Sequence, residues 1–288
     1  MTTNIPLAII GGSGLYNMPG LEATSEHDLD TPFGKPSAPV VTGTMEGIRV
    51  AFLARHGIGH HISPSEVNYR ANIYALKSLG VERVVSINAC GSLREDLAPG
   101  HIVIPDQIFD NTKMRVRTFF SDGLVAHISS ADPFCGSLSD QVESAVKSTG
   151  ATVHRGGAFI TIEGPRFSTK AESNTFRAWG MSIIGMTASP EAFLAREAEL
   201  CYAIMAHVTD YDVWHTSASP VTVEMVIETL HRNTSLAQDA IRTLARNLNP
   251  ERNCECDRAL ASALITDPAH IPVETKKKLS LLVSKYLK

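Results

Sequence analysis

Val40-Val41-Thr42-Gly43-Thr44-Met45-Glu46-Gly47-Ile48-Arg49-Val50-Ala51-Phe52-Leu53-Ala54 is the stretch that decides the fold class. Two β-rich runs, Val40 to Met45 and Arg49 to Ala54, flank Glu46-Gly47, a pair suited to a tight hairpin turn. A hairpin this early makes the sheet mixed rather than wholly parallel. Working outward, short β-rich runs alternate with amphipathic segments, the pattern of an α/β protein. Further strands are expected at Pro6 to Ile10, Arg83 to Asn88, Ile102 to Pro105, Ala158 to Ile162, Ser182 to Met186 and Cys201 to Val208. Helices are expected at Val67 to Leu79, Leu138 to Ser148, Lys170 to Trp179, Glu191 to Leu200 and Val223 to Leu248, the last kinked or broken at Asn233-Thr234-Ser235. The chain closes on an expected helix from Pro272 to Leu287, where Leu279, Leu282, Val283 and Tyr286 share one face suited to packing. No Gly-, Pro- or Ser-rich linker divides it. The expectation is a single α/β domain over residues 1–267, a mixed central β-sheet flanked by helices, with a helical tail over 268–288.

The 288 residues are 43% hydrophobic and 19% charged, which excludes an intrinsically disordered chain and leaves enough apolar mass for a large core. Net charge is -4, from 26 Lys plus Arg against 30 Asp plus Glu, with no basic cluster, so neither DNA nor RNA is an expected partner. The first residues lack a basic, apolar leader, and no run approaches the length of a membrane span, so no membrane partner and a cytoplasmic location are expected. Five cysteines, an odd number scattered along the chain, agree with a reducing compartment. Cys254-Glu255-Cys256 is the one close pair; two thiols so placed are too few for a metal site, and a local disulfide stays open.

Several strand ends carry residues with chemistry. Ile9-Ile10-Gly11-Gly12-Ser13-Gly14 runs a strand into a glycine turn whose backbone N–H groups and Ser13 hydroxyl could cradle an anion. It fails as a dinucleotide fingerprint, because the last glycine position holds Asn17 and no βαβ unit follows. Ala54-Arg55-His56-Gly57 follows the hairpin at once, and its guanidinium fork and imidazole suit phosphate oxygens. His60 and His61 find no carboxylate or thiol at metal-binding spacing. Ser86 to Ser92 ends a strand in small residues that open space for a ligand, with Cys90 read as buried and inert. Gly185-Met186-Thr187 ends another strand just before a helix N-terminus. Thr209-Asp210-Tyr211-Asp212 closes a long apolar strand with two carboxylates, candidates for a raised pKa or, equally, a solvated turn.

Taken with Asp30-Thr31-Pro32-Phe33-Gly34-Lys35-Pro36-Ser37, Asn68-Tyr69-Arg70-Ala71-Asn72 and Thr161-Ile162-Glu163-Gly164-Pro165-Arg166-Phe167-Ser168, these segments resemble the trimeric nucleoside phosphorylase superfamily in its S-methyl-5′-thioadenosine phosphorylase branch. The resemblance runs from Ile9 to about Leu264. It implies a homotrimer, or a dimer of trimers, that uses phosphate to split methylthioadenosine into adenine and 5-methylthioribose 1-phosphate, with no metal and no organic cofactor. It implies that Ser13, Arg55, His56, Asn88, Ala89 and Thr187 hold phosphate and that Met186 lies against the ribose. Phe167 and Ser168 would line the base and sugar pocket, and Val223 would shape its 5′ end. His127 would reach a neighbour's methylthio pocket, and Leu264 would help close its own. Asp210 would be the acid at purine N7, with Asp212 beside it. Ser13 stands where relatives commonly carry Thr, and Asn88 where they vary between Thr and Ser; both keep a donor. The rival readings are a non-catalytic nucleotide-binding or dehydrogenase domain, a nucleoside hydrolase, and a phosphorylase for 6-oxopurines.

Overall fold

The computed structural model describes residues 4–12, 18–216 and 222–287, with the backbone alone at 225–232. Strands β1 (Leu7–Gly11) and β2 (Glu22–His27) precede the hairpin formed by β3 (Val40–Met45) and β4 (Ile48–Ala54). Met45 pairs with Ile48, and the turn residues Glu46 and Gly47 have φ of 50° and 82°. Both are left-handed, the geometry whose twist matches that of the flanking strands. Helix α1 (Tyr69–Ser78), strands β5 (Arg83–Ser92), β6 (Ile102–Ile104) and β7 (Gln107–Asn111), and helix α2 (Gly136–Lys147) follow. Then come β8 (Val153–Arg155), β9 (Ala158–Ile162), α3 (Lys170–Ala178), β10 (Ile183–Gly185), α4 (Glu191–Glu197), β11 (Cys201–Asp210) and α5 (Val223–Asn247).

The strands form one mixed sheet, in the order β2-β3-β4-β1-β5-β10-β9-β7, with β11 on the other edge of β5 and β6 and β8 beyond it. β1 runs parallel to both β4 and β5, and β11 runs parallel to β5. One apolar cluster packs α1 and α4 against one face, and a second packs α2 and α5 against the other. β1 and β11 are buried throughout, which is why they read as continuous apolar runs instead of alternating ones.

Where the structure departs from the sequence expectation, the reasons are physical. β2, β7 and β8 were not expected; they are exposed or half-buried segments rich in polar residues, with little apolar alternation to betray them. α5 is not broken at Asn233-Thr234-Ser235, and burial of Ala237, Ala240, Ile241 and Leu244 holds it against the local propensity of those polar residues. The single closing helix is instead two short ones, α6 (Val273–Lys278) and α7 (Ser280–Val283), meeting at Leu279.

Those two helices pack into the main core, where Leu279, Leu282 and Val283 share a cluster with Tyr74, Phe119, Leu124 and Leu260. Leu282 is 3% exposed. Leu282→Ala is expected to cost about 2–5 kcal/mol of unfolding free energy, read as a lower denaturation midpoint at unchanged denaturant sensitivity. A loss below 1 kcal/mol would show that the tail adds little to the core.

Candidate active site

The site begins with an opening in the sheet. β1 pairs with β5 only as far as Ile10 opposite Ser86, while β10 reaches β5 at Gly91 and Ser92. Between them, one edge of Ile87 to Cys90 has no strand partner among the described residues. Strands that part in this way at their carboxyl ends leave a crevice suited to ligands. Arg55 Nη1 reaches the Ile87 carbonyl from that side at 3.2 Å. Strand alternation turns the Ala89 N–H the same way, toward the opening. Ala89 is half-buried there, whereas Asn88 is 2% exposed.

Arg55, the first residue after β4, is 2% exposed and paired with Glu191 at the start of α4, which is wholly buried. Its Nε and Nη2 sit 2.8 Å and 3.0 Å from the two Glu191 carboxylate oxygens. This corrects the expectation that the guanidinium fork faces phosphate: the fork holds Glu191, and at most one Nη1 hydrogen remains for an anion. Glu191 also accepts from Ser86 Oγ and Tyr202 Oη, each at 2.8 Å. Ser86 Oγ also lies 2.8 Å from Asn88 Oδ1, so its single proton is shared between the two acceptors, and Asn88 Nδ2 donates to Thr187 Oγ1 at 2.7 Å. The Thr187 hydroxyl therefore accepts from Asn88 and keeps its own proton to give to a ligand. Glu191, which organises the set, was read in the sequence only as a helix start. A Glu in the first helical turn is common for dipole reasons, and nothing in the sequence pairs it with Arg55.

His56 is 7% exposed, with Nδ1 2.9 Å from the Ile62 carbonyl. A carbonyl only accepts, so Nδ1 carries the proton and Nε2 is the acceptor of the neutral ring. Burial, then the Arg55 charge, push its pKa down to about 4. His60 stacks on it at 4.4 Å.

At the far end of the opening stand Asp210 and Asp212, 7% and 6% exposed. A bulge at Thr209 shifts the β11 register so that Asp210 pairs with Gly91, re-aiming the carboxylate at the strand end. Gly91 is required there, since a Cβ would stand 2.9 Å from Asp210 Oδ1 and 3.1 Å from Ile184. Asp210 accepts from Thr209 Oγ1 at 2.6 Å and from the Asp212 N–H at 2.7 Å. Burial nonetheless raises its pKa. Asp212 is pushed up to about 6, chiefly by burial, with the Asp210 charge adding to it. The segment is a buried acid pair and not a solvated turn. Cys90 is buried with its Sγ on the His207 carbonyl, and burial raises its thiol, as an inert cysteine requires.

The Glu163-to-Ser168 loop lies beside Met186, whose Sδ is 2.6 Å from where a Gly164 Cβ would be. Glu163 fastens that loop by accepting from Ser65 Oγ, the Lys113 and Met114 N–H groups, and Arg115 Nε. Arg115, also missed in the sequence, donates onward to the Ser189 carbonyl at 2.6 Å. A cavity of about 250 Å³ opens along the loop, lined by Ile162, Arg166, Ser168 and Phe176 among others. Ser168 Oγ and Asp212 Oδ2 are buried polar atoms with no hydrogen-bond partner among the described residues. Phe167 is 37% exposed and Val223, the first residue of α5, is 56% exposed. His127 is exposed beside Leu264, on a stretch bridged by Ala126 to Leu264 and by the His127 N–H to the Ala263 carbonyl at 2.8 Å. Ser13 and Gly14 lie outside the described residues. The Asn68-to-Asn72 and Thr31-to-Ser37 motifs are structural: Asn68 donates to the Phe33 carbonyl, and Asn72 exchanges hydrogen bonds with Ser37.

Residues 6–246 match the model of the phosphorylase superfamily. The S-methyl-5′-thioadenosine phosphorylase of Geobacter sulfurreducens is 53% identical over 282 residues, spanning 98% of this chain and 99% of that protein. A methylthioadenosine phosphorylase crystal structure from an antarctic soil metagenomic library superposes with a TM-score of 0.93 at 46% identity, covering 97% of this chain and 99% of its own. The Schistosoma mansoni methylthioadenosine phosphorylase in complex with adenine gives 0.83 at 34% identity, covering 98% of each chain. The chain belongs to the phosphorylase superfamily, and within it to the S-methyl-5′-thioadenosine phosphorylases.

Proposed function

We propose that the chain phosphorolyses S-methyl-5′-thioadenosine to adenine and 5-methylthioribose 1-phosphate, with no cofactor beyond the co-substrate phosphate. The observation that carries this reading is the spacing along β5. Ala89, whose N–H faces the opening, and Gly91, the partner of Asp210, are two residues apart. That is about 7 Å of strand, a gap that a ribose can bridge between an anion at one end and a purine at the other.

In this reading, Thr187, Asn88, the Ala89 N–H and the remaining Arg55 hydrogen hold phosphate, with Ser13 closing the cradle. His56, neutral before phosphate arrives, accepts from a phosphate hydroxyl at Nε2 or takes up a proton as the anion's charge offsets its burial. The C1′–N9 bond breaks with its electron pair passing to the purine. N7 takes the proton of Asp210, and a phosphate oxygen forms the new bond to C1′. A raised Asp210 pKa supports the acid role, because it keeps a proton on the carboxyl group at higher pH than an ordinary Asp would. Asp212 accepts from the N6 amino group. Met186, Phe167, Ser168 and Val223 line the ribose and its 5′ substituent. The enzyme acts as a cytoplasmic homotrimer, or dimer of trimers, in which His127 reaches the neighbour's methylthio group and Leu264 helps close its own pocket. Among the described residues no helix is long and apolar enough to cross a membrane.

A substrate panel at fixed phosphate tests this reading. Methylthioadenosine is expected to be strongly preferred over methylthioinosine, since O6 would face a carboxylate acceptor without a proton. An unpaired buried polar group costs about 1–3 kcal/mol, or roughly tenfold to a hundredfold in rate. Asp210→Asn should slow the adenine substrate and narrow or reverse the preference. Equal turnover of both nucleosides by the parent enzyme would leave a 6-oxopurine phosphorylase as the better reading.

Glu191→Gln removes the charge that fixes Arg55 without touching substrate. The freed guanidinium should shift, raising phosphate KM by about tenfold or more while methylthioadenosine KM moves little, and lowering stability by about 3–5 kcal/mol. Unchanged phosphate kinetics in a folded variant would separate Glu191 from the phosphate residues.

A further inference from the structure

Away from the proposed active site, the fold gathers four of the five cysteines. Cys135 caps the start of α2, Cys201 is the first residue of β11, and Cys254 and Cys256 lie in the segment that follows α5. Their Sγ atoms all lie within 4.8 Å of one another, and none is in a disulfide. The sequence offered two thiols one residue apart, too few for a metal; the fold supplies the missing two from distant parts of the chain. We propose that Cys135, Cys201, Cys254 and Cys256 form a structural four-thiolate site for a divalent zinc ion.

The geometry suits that ion. Zinc–thiolate bonds of about 2.3 Å in a regular tetrahedron put the sulfurs about 3.8 Å apart. Cys201 and Cys254 stand 3.4 Å apart, and the 4.8 Å limit on the remaining pairs leaves only small shifts to close the cage. The ligands come from a helix start, a strand start and one short loop. An all-sulfur tetrahedral set favours zinc among common divalent ions, since hard cations such as magnesium and calcium prefer oxygen.

Charge supports the same conclusion. Four thiolates around a divalent ion leave about two negative charges, which need cations close by. Arg196 Nη1 donates to Cys256 Sγ at 3.8 Å, and the Arg252 guanidinium lies beside Cys201 and Cys254. The Nε of each arginine is buried without a hydrogen-bond partner among the described residues. Two guanidiniums turned into a nest of neutral thiols gain little; around a doubly negative metal–thiolate centre they are its counter-charge. The site would clamp the loop after α5 to the core. That loop leads through the short helical turn Cys256–Arg258 to Leu260, Ala263 and Leu264, and so to the stretch that carries His127.

The test is made on the full-length protein purified under reducing conditions. Elemental analysis is expected to find one zinc per chain, released as the thiols are titrated with a mercurial. Cys135→Ser and Cys254→Ser should lose the metal and melt at lower temperature, with kcat on saturating substrates kept. Should those variants fail to fold, the parent chain decides: exchange into cobalt(II) should give thiolate charge-transfer bands and the strong visible bands of tetrahedral cobalt. A reduced parent chain that carries no zinc, takes up none when offered it and gives no cobalt spectrum would overturn the proposal. So would a disulfide between any two of the four in protein kept from oxidation, and bound iron would overturn the choice of zinc.

Discussion

A guanidinium and a carboxylate buried against each other, Arg55 and Glu191, hold five segments of the chain in register around the opening in the sheet. Arg55 follows β4 and touches the carbonyls of Ile10 in β1 and Ile87 in β5, while Glu191 begins α4 and accepts from Ser86 in β5 and Tyr202 in β11. Leaving either charge alone in that interior would cost several kcal/mol, so the pair fixes its surroundings as a unit. The polar chain continues through Ser86 and Asn88 to Thr187, and its direction decides which groups still have protons to give. In the proposed reading, donors for the phosphate are therefore in place before it arrives, which is where electrostatic catalysis gains most.

The other half of the chemistry depends on a local irregularity. The bulge at Thr209 lets Asp210 pair with Gly91, and the missing Cβ at Gly91 makes room for both carboxylates. Burial then opposes ionisation and wins over the hydrogen bonds from Thr209 and the Asp212 backbone, which favour the charged form. Trp214 anchors the segment from the solvent side through its indole N–H on the Ser92 carbonyl at 2.7 Å, with Arg177 over its ring. An acid pair can thus persist at a strand end without collapsing into a salt bridge of its own.

Much of this was legible in the sequence because it rests on local pattern. The hairpin at Glu46-Gly47, the buried strands β1 and β11, and the strand-end positions of Arg55, Thr187 and Asp210 follow from apolar runs and turn chemistry, whereas Asn88, expected at a strand end, lies inside β5, which runs on to Ser92. What was not legible depends on long-range pairing. Glu191 is an ordinary helix-start residue until Arg55 is seen against it, and Arg115 looks like a surface cation until Glu163 and the Ser189 carbonyl enclose it. The cysteines looked scattered because three separate elements bring them together. The edge strand β2 escaped notice because exposed strands carry no alternation to read.

The central claim is that phosphate, held by the donors around Asn88 and Thr187, is the group that replaces the purine at C1′. Phosphorus NMR on methylthioadenosine, inorganic phosphate and the enzyme tests it most directly. The account predicts that the inorganic phosphate signal falls as a sugar phosphomonoester signal grows, mole for mole with the adenine released, and that no adenine appears without phosphate. Adenine released with free methylthioribose and an undiminished phosphate signal would make the chain a hydrolase and contradict the account.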